Sequence, residues 1–600
     1  MARQTNPKKD IVESVLTPQL TKKLWSSNYA AVLPITPQDF SMEAVLPAIL
    51  YMFRWGHRRG TGKFSAAFGP LGDGKITIDH IADVLTKNED SFRNFEDETG
   101  KAILGDLLLT YCLENADHDI GRTSQVMRAF PTHYFASWID LPKSIGHLRS
   151  VPEMIVALLV NQPDGEHIES GRVKSKFSAG RGIEENELLR LLGTGVYSEG
   201  KEQNIAAEKY DETTDVGIDQ LLTIRMAQAC NQAPIKLRGP GESGLIPNAR
   251  PLSQKAAKYF SKDLSVFLQA YGNVIPRHAL IPMLESCLAL GMSNIFFSTA
   301  ALALSWDKKN DINLAKDDHP WPMFVDCSSG ANNDLRRLAE ESFEDCYRRL
   351  DRLPITLMTM RILDQAVSYD EDMRSEVKAL KANPNSEAFL NLLGSVRDGS
   401  HENANYLNKE LKKKCRELAE AFDEDDEQLS IAELLRNPDV DPATRLGESL
   451  VALMGDNLNR SHFQRAAESC LMLDSPCGLA KKRKIGVTMI GKKRLTDARS
   501  IVLTNTMIDF LVHRHLRKEK KGKSTRDLSL QQFLTLLRER YGLYVDRAPE
   551  GLPIANDYLA ANKKFLERRL RDLGLLVGVN DAETMKRLTA RYQAEENENE

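Results

Sequence analysis

Apolar residues recur at helical spacing along most of this chain, and this periodicity constrains its fold more than any other feature. The pattern is clearest in residues 41–53, 252–271 and 529–541, whereas runs that alternate apolar and polar residues are few. Apolar positions three and four residues apart form one face of an amphipathic helix. The sequence therefore predicts a mainly α protein, with strands confined to short pieces near residues 321–326 and 575–592.

A chain of 600 residues is too long for one hydrophobic core, so several domains are expected. Shifts in composition predict four. They are a helical domain at 1–160, an irregular, glycine-rich and polar connecting region at 161–250, a central helical domain with an acidic turn at 251–430, and a basic domain at 431–600. The basic domain ends with two predicted helices and a hairpin, which is the order of a winged helix. The same order occurs in many protein-interaction modules, so both alternatives stay open.

Several classes of protein do not fit the composition. We find no apolar run of the roughly 20 residues that a membrane-spanning helix needs. The first ten residues lack the apolar segment of a secretory signal. The eight cysteines are scattered and form no Cys-x-x-Cys pair, which is typical of reduced thiols. We therefore expect a cytoplasmic protein with no membrane partner.

The stretch from Cys477 to Arg547 concentrates positive charge. It carries 18 Lys and Arg against 6 Asp and Glu, a net charge of +12 in a chain whose formal net charge is −4. The commonest partner of so dense a basic block is a phosphate polymer. We expect contact with the DNA backbone. A solvated lysine-rich surface, or a patch that docks on an acidic face of the same protein, is the alternative.

The candidate DNA contacts are basic residues of this block. Two clusters flank Ile485–Gly491, where alternating apolar residues fit a strand, or a hairpin if a glycine turns the chain. Of the other candidates, Arg499 follows the second cluster, and the rest lie on and after the following helix. Phosphates look alike along a duplex, so we expect weak sequence selectivity and strong dependence on salt. The candidates are Lys481, Lys482, Arg483, Lys484, Lys492, Lys493, Arg494, Arg499, Arg514, Arg517, Lys518, Lys520, Lys521 and Lys523.

No arrangement of residues predicts catalysis, a metal site or a cofactor. The run Cys327–Gly330 before a helix resembles an anion-binding turn. A phosphatase loop would need an arginine at 333, where Asn333 stands, so a buried thiol in a strand-to-helix turn is favoured. His513 and His515 are two residues apart on a predicted helix, so their rings point to different faces and do not converge on one ion.

Short segments spread along the chain carry a family resemblance. They are His133–Pro142 with Gly146–Glu153, Phe324–Gly330 with Leu335–Ser342, and Leu537–Pro549. Together they resemble an accessory protein of bacterial methylation-associated anti-phage defence systems. The resemblance implies a cytoplasmic protein that works beside a DNA methyltransferase and ATP-driven or nuclease partners. It assigns no catalytic residue.

These observations favour a component of a restriction-type defence system that binds DNA through its backbone. It would scaffold partner proteins such as a methyltransferase or an ATPase, without catalysis or a cofactor of its own. A divergent metal-dependent nuclease, with acids dispersed along the chain, is one alternative. A protein–protein scaffold that does not bind nucleic acid is another.

Overall fold

The structure is a computed structural model. It describes residues 7–16, 28–55, 78–87, 92–114, 126–129, 148–161, 168–169, 172–173, 177–179, 186–193, 196–198, 208–210, 250–312, 320–381, 387–423, 429–489, 492–518, 527–578 and 586–594.

The described chain is mainly helical, which confirms the predicted fold class. Its α-helices are α1 (Pro7–Val15), α2 (Val45–Trp55), α3 (Ile78–Leu85), α4 (Glu98–Tyr111), α5 (Val151–Asn161), α6 (Glu187–Leu192), α7 (Gln254–Tyr271), α8 (Arg277–Lys309), α9 (Asn333–Leu350), α10 (Leu353–Tyr369), α11 (Arg374–Lys381), α12 (Glu387–Asp398), α13 (Ala404–Phe422), α14 (Leu429–Arg436), α15 (Pro442–Cys470), α16 (Asn505–His515), α17 (Leu530–Tyr541) and α18 (Asn556–Asp572).

The strands are short, with two exceptions. They are β1 (Cys112–Glu114), β2 (Val126–Ala129), β3 (Ile168–Glu169), β4 (Arg172–Val173), β5 (Val196–Ser198), β6 (Glu208–Tyr210), β7 (Met323–Phe324), β8 (Ala480–Met489), β9 (Lys492–Ile501), β10 (Leu543–Tyr544), β11 (Leu576–Val577) and β12 (Arg587–Leu588). The expectation that strands are confined to two short regions is wrong, because β8 and β9 have ten residues each. They pair antiparallel over their whole length, from Ala480 opposite Ile501 to Met489 opposite Lys492.

Helix α8 is the longest helix of the described chain, with 33 residues. Apolar spacing predicts two helices here, at 279–290 and 294–305, and the structure joins them. Gly291 allows α8 to pack closely against Phe260 of α7, because a Cβ at position 291 would lie 2.1 Å from the Phe260 ring. Although α8 is long and apolar enough to cross a membrane, 83% of its most apolar window is buried inside the protein. The apolar composition of α8 is therefore explained by its position in the core.

A small sheet joins the centre of the chain to its C-terminal part. Strand β7 pairs parallel with β10. Just beyond β7, Asp326 forms a parallel bridge with Val502, and its amide donates to the carbonyl of Ile501 at 2.9 Å. The amide of Val502 in turn donates to Leu479 at 2.8 Å. The root of the hairpin β8–β9 is thereby anchored to the central region.

The C-terminal helices agree with their sequence signals. Helix α17 begins with a capping box between Ser529 and Gln532 and ends at Gly542, which has a left-handed backbone. After α18, strands β11 and β12 pair antiparallel. Strand β12 also pairs with the segment before α17, where Leu588 donates to Leu528 at 2.9 Å. Three short antiparallel segments thus lie in the order 528–530, 586–588, 575–577.

One continuous cluster of buried apolar residues runs from Val12 to Ala594. Helix α15 packs along α10. The N-terminal part is joined to the central helices by polar contacts as well: the Tyr29 hydroxyl donates to Asp364 at 2.8 Å. Packing therefore continues across the predicted limits of the four domains, whose boundaries stay a prediction.

Candidate nucleic-acid interface

The hairpin β8–β9 is fixed at its root by two ion pairs with neighbouring helices. Arg483 donates two hydrogen bonds to Glu340 of α9, from Nε to Oε1 at 2.5 Å and from Nη2 to Oε2 at 2.8 Å. On the other strand, Arg499 pairs with Glu468 of α15 and its guanidinium lies 5.5 Å from the ring centroid of Tyr347. These two candidate DNA contacts thus already have carboxylate partners within the protein.

Three lysines of β8 remain exposed: Lys481, Lys482 and Lys484. Toward the tip, the register sets Val487, Thr488 and Met489 opposite the other predicted cluster, Arg494, Lys493 and Lys492. The hairpin alternative of the sequence analysis is therefore observed, and the two basic clusters belong to one two-stranded ribbon. Lys518, after α16, is also exposed. Lys520, Lys521 and Lys523 lie outside the described residues.

Arg514 and Arg517 differ from what the sequence suggested. We expected both on an exposed basic face of the helix, yet their exposed fractions are 1% and 6%. Arg514 Nε lies 2.8 Å from a carboxylate oxygen of Asp263, and Arg517 Nε donates to the Tyr271 hydroxyl at 2.9 Å. Helix α16 is buried on all sides, so a cation on it must pair within the protein. These two side chains therefore hold α16 against α7.

Asp263 is the centre of a buried polar network between α7, α16 and α17. Besides Arg514, it accepts hydrogen bonds from Arg540 Nη2 at 2.5 Å and from the Tyr541 hydroxyl at 2.7 Å. The Tyr541 hydroxyl also lies 2.8 Å from His515 Nε2. Burial raises the pKa of Tyr541 well above its ordinary value, with the Asp263 charge adding to the shift. The phenol is therefore a permanent hydrogen-bond donor here.

His513 and His515 contact different neighbours, as their spacing predicts. The Nδ1 atom of His513 lies 2.8 Å from the Asp509 carbonyl, and Nε2 accepts hydrogen bonds from the amides of Arg591 and Tyr592. Burial, with the charge of Arg517 adding to it, lowers the pKa of His513 to about 3. The ring is therefore neutral at physiological pH, with its proton on Nδ1. It ties the C-terminal segment to α16.

The turn at Cys327–Gly330, which resembles an anion-binding turn, holds a carboxylate of the protein itself. The Asp326 carboxylate accepts hydrogen bonds from the amide and hydroxyl of Ser328, at 2.8 and 2.6 Å, and from the amide of Gly330 at 2.8 Å. Asn332 caps the helix start by accepting from two amides of α9. The interpretation of this turn as an anion-binding site is therefore wrong, since an internal carboxylate holds the place of the anion. Burial raises the pKa of the Cys327 thiol, which fits an unreactive buried thiol.

Asn562 holds α18 against the small sheet. Its exposed fraction is 0%, and its amide group donates to the carbonyls of Val325 and Val545, at 2.8 and 3.0 Å. Its carbonyl oxygen accepts from the amide of Cys327 at 2.9 Å. The opposite face of α18 is exposed and carries basic residues one helical turn apart, including Lys564 and Arg568.

Within the described residues, no group of three or more His, Cys, Asp or Glu side chains is placed to hold a metal ion.

Comparison with known protein families gives the identity of the chain. The family model of Methylation-associated defense system protein MAD7 matches residues 23–592. The chain belongs to this family. It is therefore a component of a methylation-associated defence system, which confirms the resemblance noted in the sequence. Neither a curated protein nor a solved structure matches the chain.

Three structurally important residues of this MAD7 family member do not stand out in its sequence: Asp263, Glu340 and Asn562. Each is a polar residue on an otherwise ordinary amphipathic helix, and each finds its partner far along the chain. A weak signal was present for Asp263, which lies among residues at helical spacing that are buried as a group. Nothing local distinguishes Glu340 from its exposed neighbours on α9.

Proposed function

We propose that the chain holds duplex DNA for its defence system without catalysis of its own. The observation that carries this proposal is the two-stranded ribbon β8–β9, in which both basic clusters of the sequence come together. Lys481, Lys482 and Lys484 are exposed on its first strand. The DNA-backbone contact assigned to Arg514 and Arg517 is not retained, because both are buried.

A two-stranded ribbon is one of the two protein elements that fit the major groove of duplex DNA. Ten residues at about 3.3 Å each give a ribbon about 33 Å long. That length lets lysines along it reach successive phosphates on both sides of the groove. Contacts of this kind supply affinity and carry little base information. Weak sequence selectivity and steep salt dependence remain the expected signature.

We further propose that residues 505–588 form a winged-helix-like unit. Three helices are followed by a hairpin, and a strand-like segment between the first two helices pairs with the last strand. In this assignment α18 is the recognition helix, and its exposed face offers Ala560, Lys564, Arg568 and Arg571 to a duplex. One departure is the long connection between α17 and α18, which contributes β10 to the sheet with β7. This supports a unit fixed to the central body.

We propose that the helical parts of the chain bind other proteins of the same system, such as a methyltransferase or an ATPase, in the cytoplasm. Membership of a defence-system family supports such partners. The lysines exposed on the described part of the ribbon, Lys481, Lys482 and Lys484, suit backbone contacts that carry little base information. This supports a division of labour, in which a partner recognises methylation and this chain supplies affinity.

The ribbon is tested with the triple variant Lys481→Ala, Lys482→Ala, Lys484→Ala. Duplex affinity should fall on every sequence, and the log–log salt slope should flatten by about 2.7, at about 0.9 for each lost phosphate contact. Thermal stability should stay unchanged because all three side chains are exposed. Binding isotherms at several salt concentrations measure the slope.

A matched control is available on α13, where Lys409, Lys412 and Lys413 are also exposed. Their replacement by alanine removes the same charge from a helix, away from the ribbon. It should leave the salt slope close to that of the parent protein. Equal losses in the two triple variants would mean that net charge, rather than the ribbon, sets duplex affinity. No loss in either would make the ribbon a solvated surface and favour the scaffold alternative.

The winged-helix-like unit is tested separately with Lys564→Ala and Arg568→Ala. Their side chains lie one turn apart on the exposed face of α18. If α18 lies in a groove, this double variant should weaken duplex binding beyond the effect of the ribbon variant when the two are combined. A combined variant that binds like the ribbon variant alone would remove α18 from the interface.

A further inference from the structure

A cleft lies between α7, the end of α16 and α17, and none of its described lining residues belongs to the ribbon. Its volume is about 660 Å³, within the range of about 300–1,000 Å³ that is usual for small-molecule sites. Among the residues that line it are Tyr259, Arg514, Arg517, Lys518, Glu539 and Arg540. Four of these six carry positive charge and one carries negative charge, so the cleft has the chemistry of an anion site.

The cations lining the cleft are held in place from behind. Arg514 and Arg540 both pair with Asp263, at 2.8 and 2.5 Å, so two guanidiniums share that carboxylate. Arg517 is held by the Tyr271 hydroxyl, with its guanidinium 5.0 Å from the Tyr271 ring centroid. Such side chains lose little conformational freedom when a ligand binds. Because Arg514 and Arg517 are buried, their attraction for an anion is also less screened than on the surface.

One wall of the cleft is flat and aromatic. The Arg540 guanidinium stacks over the Tyr259 ring, with its carbon 4.0 Å from the ring centroid. Stacked guanidinium and aromatic planes are surfaces on which nucleobases pack. The rim carries the exposed ammonium of Lys518 and the amides of Gln531 and Gln532. The cleft therefore combines a basic floor with a stacking surface, within the dimensions of one nucleotide.

We propose that this cleft binds a nucleotide through its phosphate. Lys518 at the rim would contact the phosphate, Arg517 behind it would add positive charge, and the Tyr259–Arg540 pair would contact the base. The nucleotide is either free or the phosphorylated end of a DNA strand, since both present the same phosphomonoester. The site is independent of the ribbon: it uses α7, α16 and α17, and its ligand is a single nucleotide rather than the side of a duplex.

The full-length protein is tested by calorimetry with four probes. These are inorganic phosphate, deoxyadenosine monophosphate, and one single-stranded oligonucleotide with either a 5′-phosphate or a 5′-hydroxyl. Saturable binding of the mononucleotide, tighter than that of inorganic phosphate, is the expected result. A preference for the 5′-phosphorylated oligonucleotide over the 5′-hydroxyl form would identify a strand end as the source, and equal binding of the two would identify the free nucleotide. No saturable binding of the mononucleotide would overturn the proposal.

The variant Lys518→Glu locates the binding in the cleft. It reverses the exposed charge at the rim without touching the Asp263 network, and it should weaken mononucleotide binding about tenfold or more, since a charge-assisted hydrogen bond is lost. The variant Lys481→Glu makes the same change on the ribbon and should leave mononucleotide affinity unchanged while weakening duplex binding. Equal effects of both variants on the mononucleotide would mean that net charge, rather than the cleft, sets the affinity. Thermal unfolding of both variants checks that each is folded.

Discussion

The hairpin β8–β9 and helix α16 are both rich in basic residues, and they use them in opposite ways. Lys481, Lys482 and Lys484 of the hairpin are exposed, whereas Arg514 and Arg517, on and just after α16, are buried and hold α16 against α7. The two elements are joined by only a few residues, from Ile501 to Asn505. Positive charge that is continuous along the sequence is thus divided between surface and core.

What separates the two elements is the rest of their composition. In α16 the apolar residues Met507, Ile508, Phe510, Leu511 and Val512 cover more than one stripe, so the whole helix is buried. A cation on such a helix needs an internal partner. On the hairpin, Lys481 and Lys482 follow each other along a strand and so lie on opposite faces, both exposed. Covering this part of the ribbon on either face would bury a charge. A count of Lys and Arg alone therefore overstates the basic surface.

The largest expected effect comes from removing one of the two buried arginines. Arg514→Ala leaves the Asp263 carboxylate in the core with one cation fewer. Removal of one partner from a buried ion pair costs about 3–5 kcal/mol. Chemical denaturation should show a fall of this size in the free energy of unfolding. Lys482→Ala on the hairpin is the control, with a change within about 0.5 kcal/mol. A small effect of Arg514→Ala would mean that water replaces the guanidinium.

A second prediction concerns pH and the neutral ring of His513. Its folded pKa of about 3 lies below the unfolded value of about 6.5. As the pH falls below 6.5, the unfolded chain takes up a proton that the folded protein does not, so stability is lost between pH 6.5 and pH 3. The free energy of unfolding should fall by about 2 kcal/mol from pH 7 to pH 5 through this group alone. Urea denaturation at the two pH values measures it.

The control for this pH effect is His513→Gln, which keeps hydrogen-bonding capacity without a titrating ring. The charged groups around His513 are Asp509, Arg517 and Arg591, and the variant leaves all of them in place. Its loss of stability between pH 7 and pH 5 should be smaller than that of the parent by the same amount. An identical pH dependence in both proteins would place the titration on another residue.

The smallest expected effect comes from a change at the root of the exposed hairpin. Glu340→Gln removes the carboxylate that holds Arg483 at the root of the ribbon. Because this pair is partly exposed, stability should fall by less than about 1 kcal/mol. The freed guanidinium should add a phosphate contact and steepen the salt slope by up to about 0.9. Glu341→Gln, on the same helix and paired with Arg337 instead, is the control for charge alone. A weaker duplex affinity in Glu340→Gln would mean that the ion pair orients the ribbon for DNA.

Local signals predicted the helices well and the candidate site only in part. Ser529, Gln532 and Gly542 mark the ends of α17 within the sequence itself, because caps act on adjacent amides. The ribbon was harder to predict, since lysine and arginine at eight of its twenty positions hide the alternation that marks a strand. The buried state of Arg514 depends on Asp263, and the filled turn at Asp326 depends on where one carboxylate points. Such contacts follow from packing, which a single sequence does not display.

The small sheet around β7 also sets an order of events during synthesis. The amides of Met323 and Val325 donate to the carbonyls of Gly542 and Tyr544, and that of Asp326 donates to Ile501. A ribosome that has completed the central helices has not yet made these acceptors. The closure of such long loops is entropically costly, and contacts between distant parts of a chain slow folding. The small sheet around β7 can therefore close only after residue 544 has been made, and a chain interrupted before that point leaves an open strand edge at β7.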